Sequence, residues 1–246
     1  MTPPGPPLLP HLDETGIERI LCVVAHPDDM EYGAAAAVDR WTKAGIDVRY
    51  VLVTSGEAGI DGLEPDRAGP LREQEERDGA AMVGVDVVEF LGHRDGVVEY
   101  GLPLRRDIAR AIRRNQPDTI VAMTHRERFA GGGTNQADHR AVGLATLDAA
   151  KDAGNRWIFD ELLAEGHEPW SGVRRVLFAG SAEATHGIDV TGHVDASVAS
   201  LRAHVAYLEG LSSGFPAPEE FLPMMAAGGG LALGTDAAVL FEVFDL

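Results

Sequence analysis

Short runs of β-branched and aliphatic residues recur along this chain, at residues 20–25, 47–54, 85–91, 118–123 and 174–179. Runs this short, bounded by glycine, proline or aspartate, predict buried strands. Between and after them lie longer segments with helical apolar spacing, at 31–44, 71–83, 102–115, 137–153 and 195–208. Gly45 and Gly84 close the first two of these helices, and Pro117 limits the third. Alternation of strand and helix predicts an α/β fold: a doubly wound, mostly parallel sheet with helices on both faces. Beyond residue 211, Pro216, Pro218, Pro223 and Gly228-Gly229-Gly230 predict a long loop, either a lid or a surface excursion, before a late strand within 237–244.

The 246 residues are long enough for one sizeable core, so a single domain is expected over residues 16–246 behind a loose tail at 1–15. The proline-rich start of that tail has no basic residue and no long apolar run, so neither a signal peptide nor a membrane span is expected. A formal charge of −18 argues against nucleic acid and anionic lipid surfaces as partners. The lone cysteine, Cys22, sits in the apolar run Ile20-Leu21-Cys22-Val23-Val24 and reads as core, which fits a reducing cytoplasm. A homo-oligomer is left open.

In sheets of this class ligands bind beyond the carboxyl ends of the strands, where strand order reverses. The segment after the first strand is His26-Pro27-Asp28-Asp29, an imidazole and two carboxylates in one tight turn that opens a helix. Adjacent buried carboxylates are costly without a counter-charge, and a bound cation removes that cost. After the fourth strand comes Asp138-His139, and first and fourth strands are commonly neighbours at the switch point. His26, Asp29 and His139 then converge as two nitrogen donors and one oxygen donor. Such a set suits Zn2+, with another divalent metal allowed, and leaves a position for water. Asp28, beside the metal but not on it, is the candidate general base. A plain helix N-cap is the alternative for a lone Asp28, but not for the whole constellation.

These residues resemble the PIG-L or LmbE-like N-deacetylases of N-acetylglucosaminyl compounds. The resemblance rests on Ala25-His26-Pro27-Asp28-Asp29-Met30-Glu31, on Thr54-Ser55-Gly56-Glu57-Ala58-Gly59, on Arg72 and Glu75, and on Asp138-His139, and spans roughly residues 20–143. It implies a Rossmann-like fold, zinc on His26, Asp29 and His139, Asp28 as general base, and a small-molecule N-acetylated amino sugar as substrate. A larger acyl group, or a zinc- and sugar-binding protein without turnover, are the competing readings. A dinucleotide-binding module is set aside, because no G-x-G-x-x-G follows the first strand.

One departure from the family pattern stands out. Where many members have His-Pro-Asp-His, this chain has Gln136-Ala137-Asp138-His139. Gln136 can donate a hydrogen bond to an oxyanion but cannot shuttle a proton. Asp28 acting as base and then acid, or a histidine such as His93 or His125, would fill the role. Around the centre, Glu31 is a candidate to orient His26, and Asp138 either orients His139 or caps its helix. Arg72 either grips substrate or pairs with Glu75 or Glu76 on its own helix. Asp95 is a candidate for sugar hydroxyls or ordinary Asp-Gly turn chemistry, and Glu57 is grouped with Arg72 and Asp95 as substrate-binding.

Overall fold

The structure is a computed structural model that describes residues 7–211 and 215–246. Strand β1 (Arg19–Val24) leads into two short helices, α1 (Asp29–Gly33) and α2 (Ala35–Lys43). Then come β2 (Asp47–Leu52), α3 (Pro65–Met82), β3 (Val87–Phe90), α4 (Leu102–Asn115), β4 (Thr119–Met123) and α5 (Ala137–Asp152). The remainder is α6 (Glu161–Ala164), β5 (Arg175–Ala179), β6 (His186–Asp189), α7 (Val194–Arg202), α8 (Val205–Gly210), α9 (Pro218–Leu233) and β7 (Ala238–Asp245).

The strands form one sheet in the order β3-β2-β1-β4-β5-β7-β6. Strands β1 to β5 pair in parallel, and β7 runs antiparallel to both β5 and β6. Side chains alternate across the sheet, as strand geometry requires. Ile20, Cys22 and Val24 of β1 face one core with Tyr50, Leu52 and Trp41. Leu21 and Val23 face the other, with Ile108 and Ile112 of α4 and Ala145 and Ala149 of α5. Both faces are covered, so the doubly wound, mostly parallel expectation holds. Cys22 is fully buried, and burial pushes its thiol well up.

Because β1 and β4 are neighbours while the chain leaves them toward opposite sheet edges, the switch point opens between their carboxyl ends. The loops after β1, β2, β3 and β4 meet there. Among the described residues no helix is long and apolar enough to cross a membrane.

Several expectations are corrected. The helix expected at 31–44 is two, broken at Ala34 (φ −151°). The break lets Gly33 lie against Met123, where a Cβ would stand 2.6 Å from the sulfur. The helix expected from 71 begins at Pro65 and carries Pro70 inside it, which local breaker signals argued against. The long loop after 211 is largely the helix α9. Its Gly229 and Gly230 pack so closely on the chain entering β7 that a Cβ would come within 2.2 Å of the Ala238 carbonyl and 2.6 Å of that of Thr235. Glycines that read as loop punctuation are contact surface. Part of the expected tail is tied down: Leu9 N–H donates to Ala232 O, and Leu12 N–H to Gly187 O. Met1 to Pro6 lie outside the described residues.

Candidate metal centre

The turn after β1 has an unusual backbone. Asp28 stands at φ 88°, ψ −17°, in the left-handed region, which costs a side-chain-bearing residue roughly 1–3 kcal/mol. Three contacts hold it there. Arg72 of α3 donates from Nη2 to the Pro27 carbonyl and to Asp28 Oδ2, each at 2.5 Å. The Asp28 amide donates to Glu76 Oε2 at 3.0 Å. The twist separates the two aspartates: Asp28 faces Arg72, while Asp29 turns inward and accepts the Ala25 and His26 amides at 2.9 Å each.

His26, Asp29 and His139 converge. His26 Nδ1 lies 3.2 Å from His139 Nε2, and His139 Nε2 lies 2.9 Å from Asp29 Oδ1. All three residues are buried. Donors at about 2.0–2.1 Å from a tetrahedral zinc stand about 3.3 Å apart, so the spacing fits a shared ion of that size. The remaining ring nitrogens are fixed too. Asn135 donates from Nδ2 to the Thr124 and Arg126 carbonyls at 2.6 and 2.9 Å. Its Oδ1, 2.9 Å from His139 Nδ1, therefore accepts the proton there, and His139 Nε2 is left with a free lone pair. His26 Nε2 faces Asp95 Oδ1 at 3.1 Å and Asp138 Oδ2 at 3.3 Å, which leaves Nδ1 for the ion.

The electrostatics agree with a cation-seeking centre. Burial works against a charged His26, yet Asp138, Asp29 and Asp95 outweigh it and push its pKa up to about 12. Burial would raise Asp29, but His139 and His26 bring it down. Asp28 behaves differently: burial raises it, Arg72 opposes this and the Asp29 charge adds to it, so it stands at about 6. One carboxylate is thus committed to the donor cluster and its neighbour is poised to exchange a proton near neutrality.

Several predicted roles change partners. Asp138 faces His26, not the adjacent His139, and accepts the Gly96 and Val98 amides at 2.7 and 3.1 Å. Successive residues on a helix diverge by about 100°, so neighbours seldom serve one another. Glu31 does not reach His26 and instead meets Ser200 at 2.8 Å. Arg72 pairs with neither Glu75 nor Glu76; it is 2% exposed, grips Asp28, and stacks 4.3 Å from the Tyr207 ring centroid. Asp95 and Glu57 cross-link two loops, with Ala58 N–H donating to Asp95 Oδ2 and Asp95 N–H to Glu57 Oε1, each at 2.8 Å. His93 is engaged by Asp107 at 3.1 Å, and His125 packs edge-on against Phe178 and Phe244. Gln136 stands exposed at the head of α5. Asn135, Glu76, His204 and Tyr207 were not singled out as site residues from sequence. Asn135 precedes the cap of α5, so helical spacing gave no signal for it, and the loop after β4 brings it to His139.

The loop after β2 explains its glycines. A Cβ on Gly59 would fall 2.2 Å from Arg72 Nη1, and one on Gly56, already at φ +63°, 2.9 Å from the same atom. Gly59→Ala is therefore expected to displace Arg72 and destabilise the protein by about 1–3 kcal/mol. Equilibrium denaturation checks it, and an unchanged midpoint would mean that the guanidinium has room to spare.

Two imidazoles and a carboxylate that could hold a metal ion, at the switch point of a doubly wound sheet and with a second, arginine-paired carboxylate beside them, make the kind of site a metallohydrolase uses. The family profile described as PIG-L: GlcNAc-PI de-N-acetylase matches residues 21–150, more than half of the chain. The chain belongs to that family. The diacetylchitobiose deacetylase of Thermococcus kodakarensis is 27% identical over 190 residues, covering 76% of this chain and 69% of that protein. The 1D-myo-inositol 2-acetamido-2-deoxy-alpha-D-glucopyranoside deacetylase of Kineococcus radiotolerans is 27% identical over 249 residues, covering 76% and 68%. In fold, the N,N'-diacetylchitobiose deacetylase from Pyrococcus horikoshii superposes with a TM-score of 0.82 at 22% identity, over 93% of this chain and 84% of that one.

Proposed function

We propose that this protein is a zinc-dependent hydrolase that removes the N-acetyl group from a small molecule or conjugate containing N-acetylglucosamine. The observation that carries the reading is the convergence of His26, Asp29 and His139 on one point, with Asp28 held beside them on a separate anchor. Relatives named as deacetylases of chitobiose and of a glucosaminyl inositol support the substrate class. Bound at this centre, zinc supplies Lewis acidity that polarises an amide carbonyl and acidifies water.

The chain's own residues supply the rest. Asp28 is the group to accept a proton from the attacking water, its pKa near neutrality matching that task. Gln136 carries no titratable proton, so Asp28 returns the proton to the departing nitrogen, and acetate and a free amine leave. Gln136 is proposed to donate a hydrogen bond to the developing oxyanion. Asp95, Asp138 and Asn135 hold the two histidine rings.

The test is acetate release by zinc-reconstituted protein from N-acetylglucosamine, its oligomers, and its inositol and malate conjugates. Stripping the metal with a chelator is expected to abolish release, and adding zinc back to restore it. Release of a longer acid from a matching N-acyl panel would redirect the reading to an amidase for larger groups. No release of any acid by the metal-loaded protein would leave a sugar-binding protein.

A further inference from the structure

Behind the metal centre lies a second polar cluster that the chemistry above does not use. Glu31 of α1, Glu76 of α3 and His204, between α7 and α8, are 1%, 0% and 0% exposed. His204 Nε2 stands 3.7 Å from Glu31 Oε2 and 3.8 Å from Glu76 Oε2, so the ring is centred between the two carboxylates and hydrogen-bonded closely to neither. Ser200 Oγ lies 2.8 Å from Glu31 Oε1. Burying two carboxylates together is unfavourable unless a cation sits with them. The imidazole is the cationic group placed to do this. Burial disfavours its charged form, yet Glu31 above all, then Glu76 and Asp28, push it up to about 9.

The cluster is built into the packing of the helices. Gly79 allows α3 to approach, since a Cβ there would stand 3.0 Å from His204 Nε2 and 3.2 Å from Glu31 Oε1. The break between α7 and α8 turns His204 inward and sets Tyr207 over Arg72. Glu75, beside Glu76, accepts the Ala206 amide at the start of α8. One interface thus aligns Arg72, Glu76 and His204.

We infer that His204 is a positioning residue for Asp28, acting through Glu76: the ring holds the Glu76 carboxylate where it accepts the Asp28 amide, and this keeps Asp28 in its left-handed turn. The inference rests on the reading of Asp28 as the general base. Glu76 is the link, because its Oε2 is 3.0 Å from the Asp28 nitrogen and 3.8 Å from His204 Nε2. Burial above all, and then the Glu31 charge, push the Glu76 carboxyl well up, against the pull of His204 and of the Asp28 amide; without the ring the Asp28 amide alone holds the group in place, and it is free to move.

The test is steady-state kinetics of the zinc-loaded protein on the best substrate of the panel, with metal content measured alongside. His204→Gln is expected to lower kcat roughly 10- to 100-fold, the range seen when a group that orients the residues around a metal site is lost, with KM and bound zinc near wild type. Glu76→Gln, which keeps an oxygen to accept the Asp28 amide and needs no counter-charge, should lose less. The double variant should be more active than His204→Gln alone, a coupling that a merely structural role for His204 would not produce. If His204→Gln does not fold, Gly79→Ala crowds the ring and the Ser200 carbonyl of α7 equally, at 3.0 Å each, so it retains the imidazole while shifting it with its helix, and should lower kcat without altering KM. Wild-type kcat in the folded variants, loss that tracks zinc content, or additive losses in the double variant would each overturn the inference. Wild-type turnover by Asp28→Asn would instead overturn the reading of the base on which it rests.

Discussion

Replacing Asp28 with asparagine is expected to lower kcat by roughly 10² to 10⁴, the usual contribution of a positioned general base. Zinc binding should survive. The proposed donor atoms belong to His26, Asp29 and His139, and Asp28 points instead to Arg72. The substitution is nearly isosteric, and the asparagine oxygen still accepts from Arg72 Nη2. It removes the ability to take a proton and keeps the Arg72 hydrogen bond, but it takes the counter-charge from a buried guanidinium, so some loss of stability accompanies it. Single-turnover acetate release together with metal analysis checks both halves. A variant that lost zinc in proportion to activity would show that Asp28 belongs to the metal site itself. Retained turnover would require another base.

The second large effect is on stability. Arg72→Met should destabilise the protein by about 3–5 kcal/mol, because it strips the counter-charge from a buried carboxylate. The side chain also satisfies the Pro27 carbonyl and covers Tyr207, so its loss removes a hydrogen bond and a cation–π contact from the same place. A lysine does not substitute well, since two Arg72 contacts come from one end of a planar fork stacked on a ring. Urea or guanidinium unfolding at neutral pH measures the change. A loss below about 1 kcal/mol, the range of exposed ion pairs, would mean that Asp28 and Arg72 are not coupled as their 2.5 Å separation implies.

Much of the arrangement was legible from residue order. Apolar runs bounded by breakers marked β1 to β5, and the alternation with helices fixed their parallel sense. The neighbour relation of β1 and β4 then brought His26 and Asp29 to His139 across more than a hundred positions of sequence. The strand β6 was missed because four residues at a sheet edge carry little periodicity, and it exists through pairing with β7. The helix α9 was missed for a different reason. Its prolines and three consecutive glycines argue locally against a helix, and only close packing on the entry to β7 reveals what the glycines are for.

Supporting residues were harder to read than donors. Metal donors are constrained in type and lie at strand ends, so chemistry names them. Partners of donors are set by which face of a helix turns inward. Asp138 was assigned between His139 and a cap, and turns to His26. Glu31 was assigned to His26 and turns to Ser200 and His204. His204 itself carried no signal, because it lies within a stretch that reads as one continuous helix and is broken only by the tertiary fit of α7 and α8 against α3.

The most direct test of the central claim is a metal titration of stripped protein, following acetate release from the preferred N-acetylated amino sugar, with His139→Ala alongside. Activity should rise from zero and level off at one equivalent of zinc per chain, and the variant should neither bind the ion tightly nor release acetate. Equal release from metal-free and metal-loaded protein, or full activity in the variant, would contradict a hydrolase built on His26, Asp29 and His139.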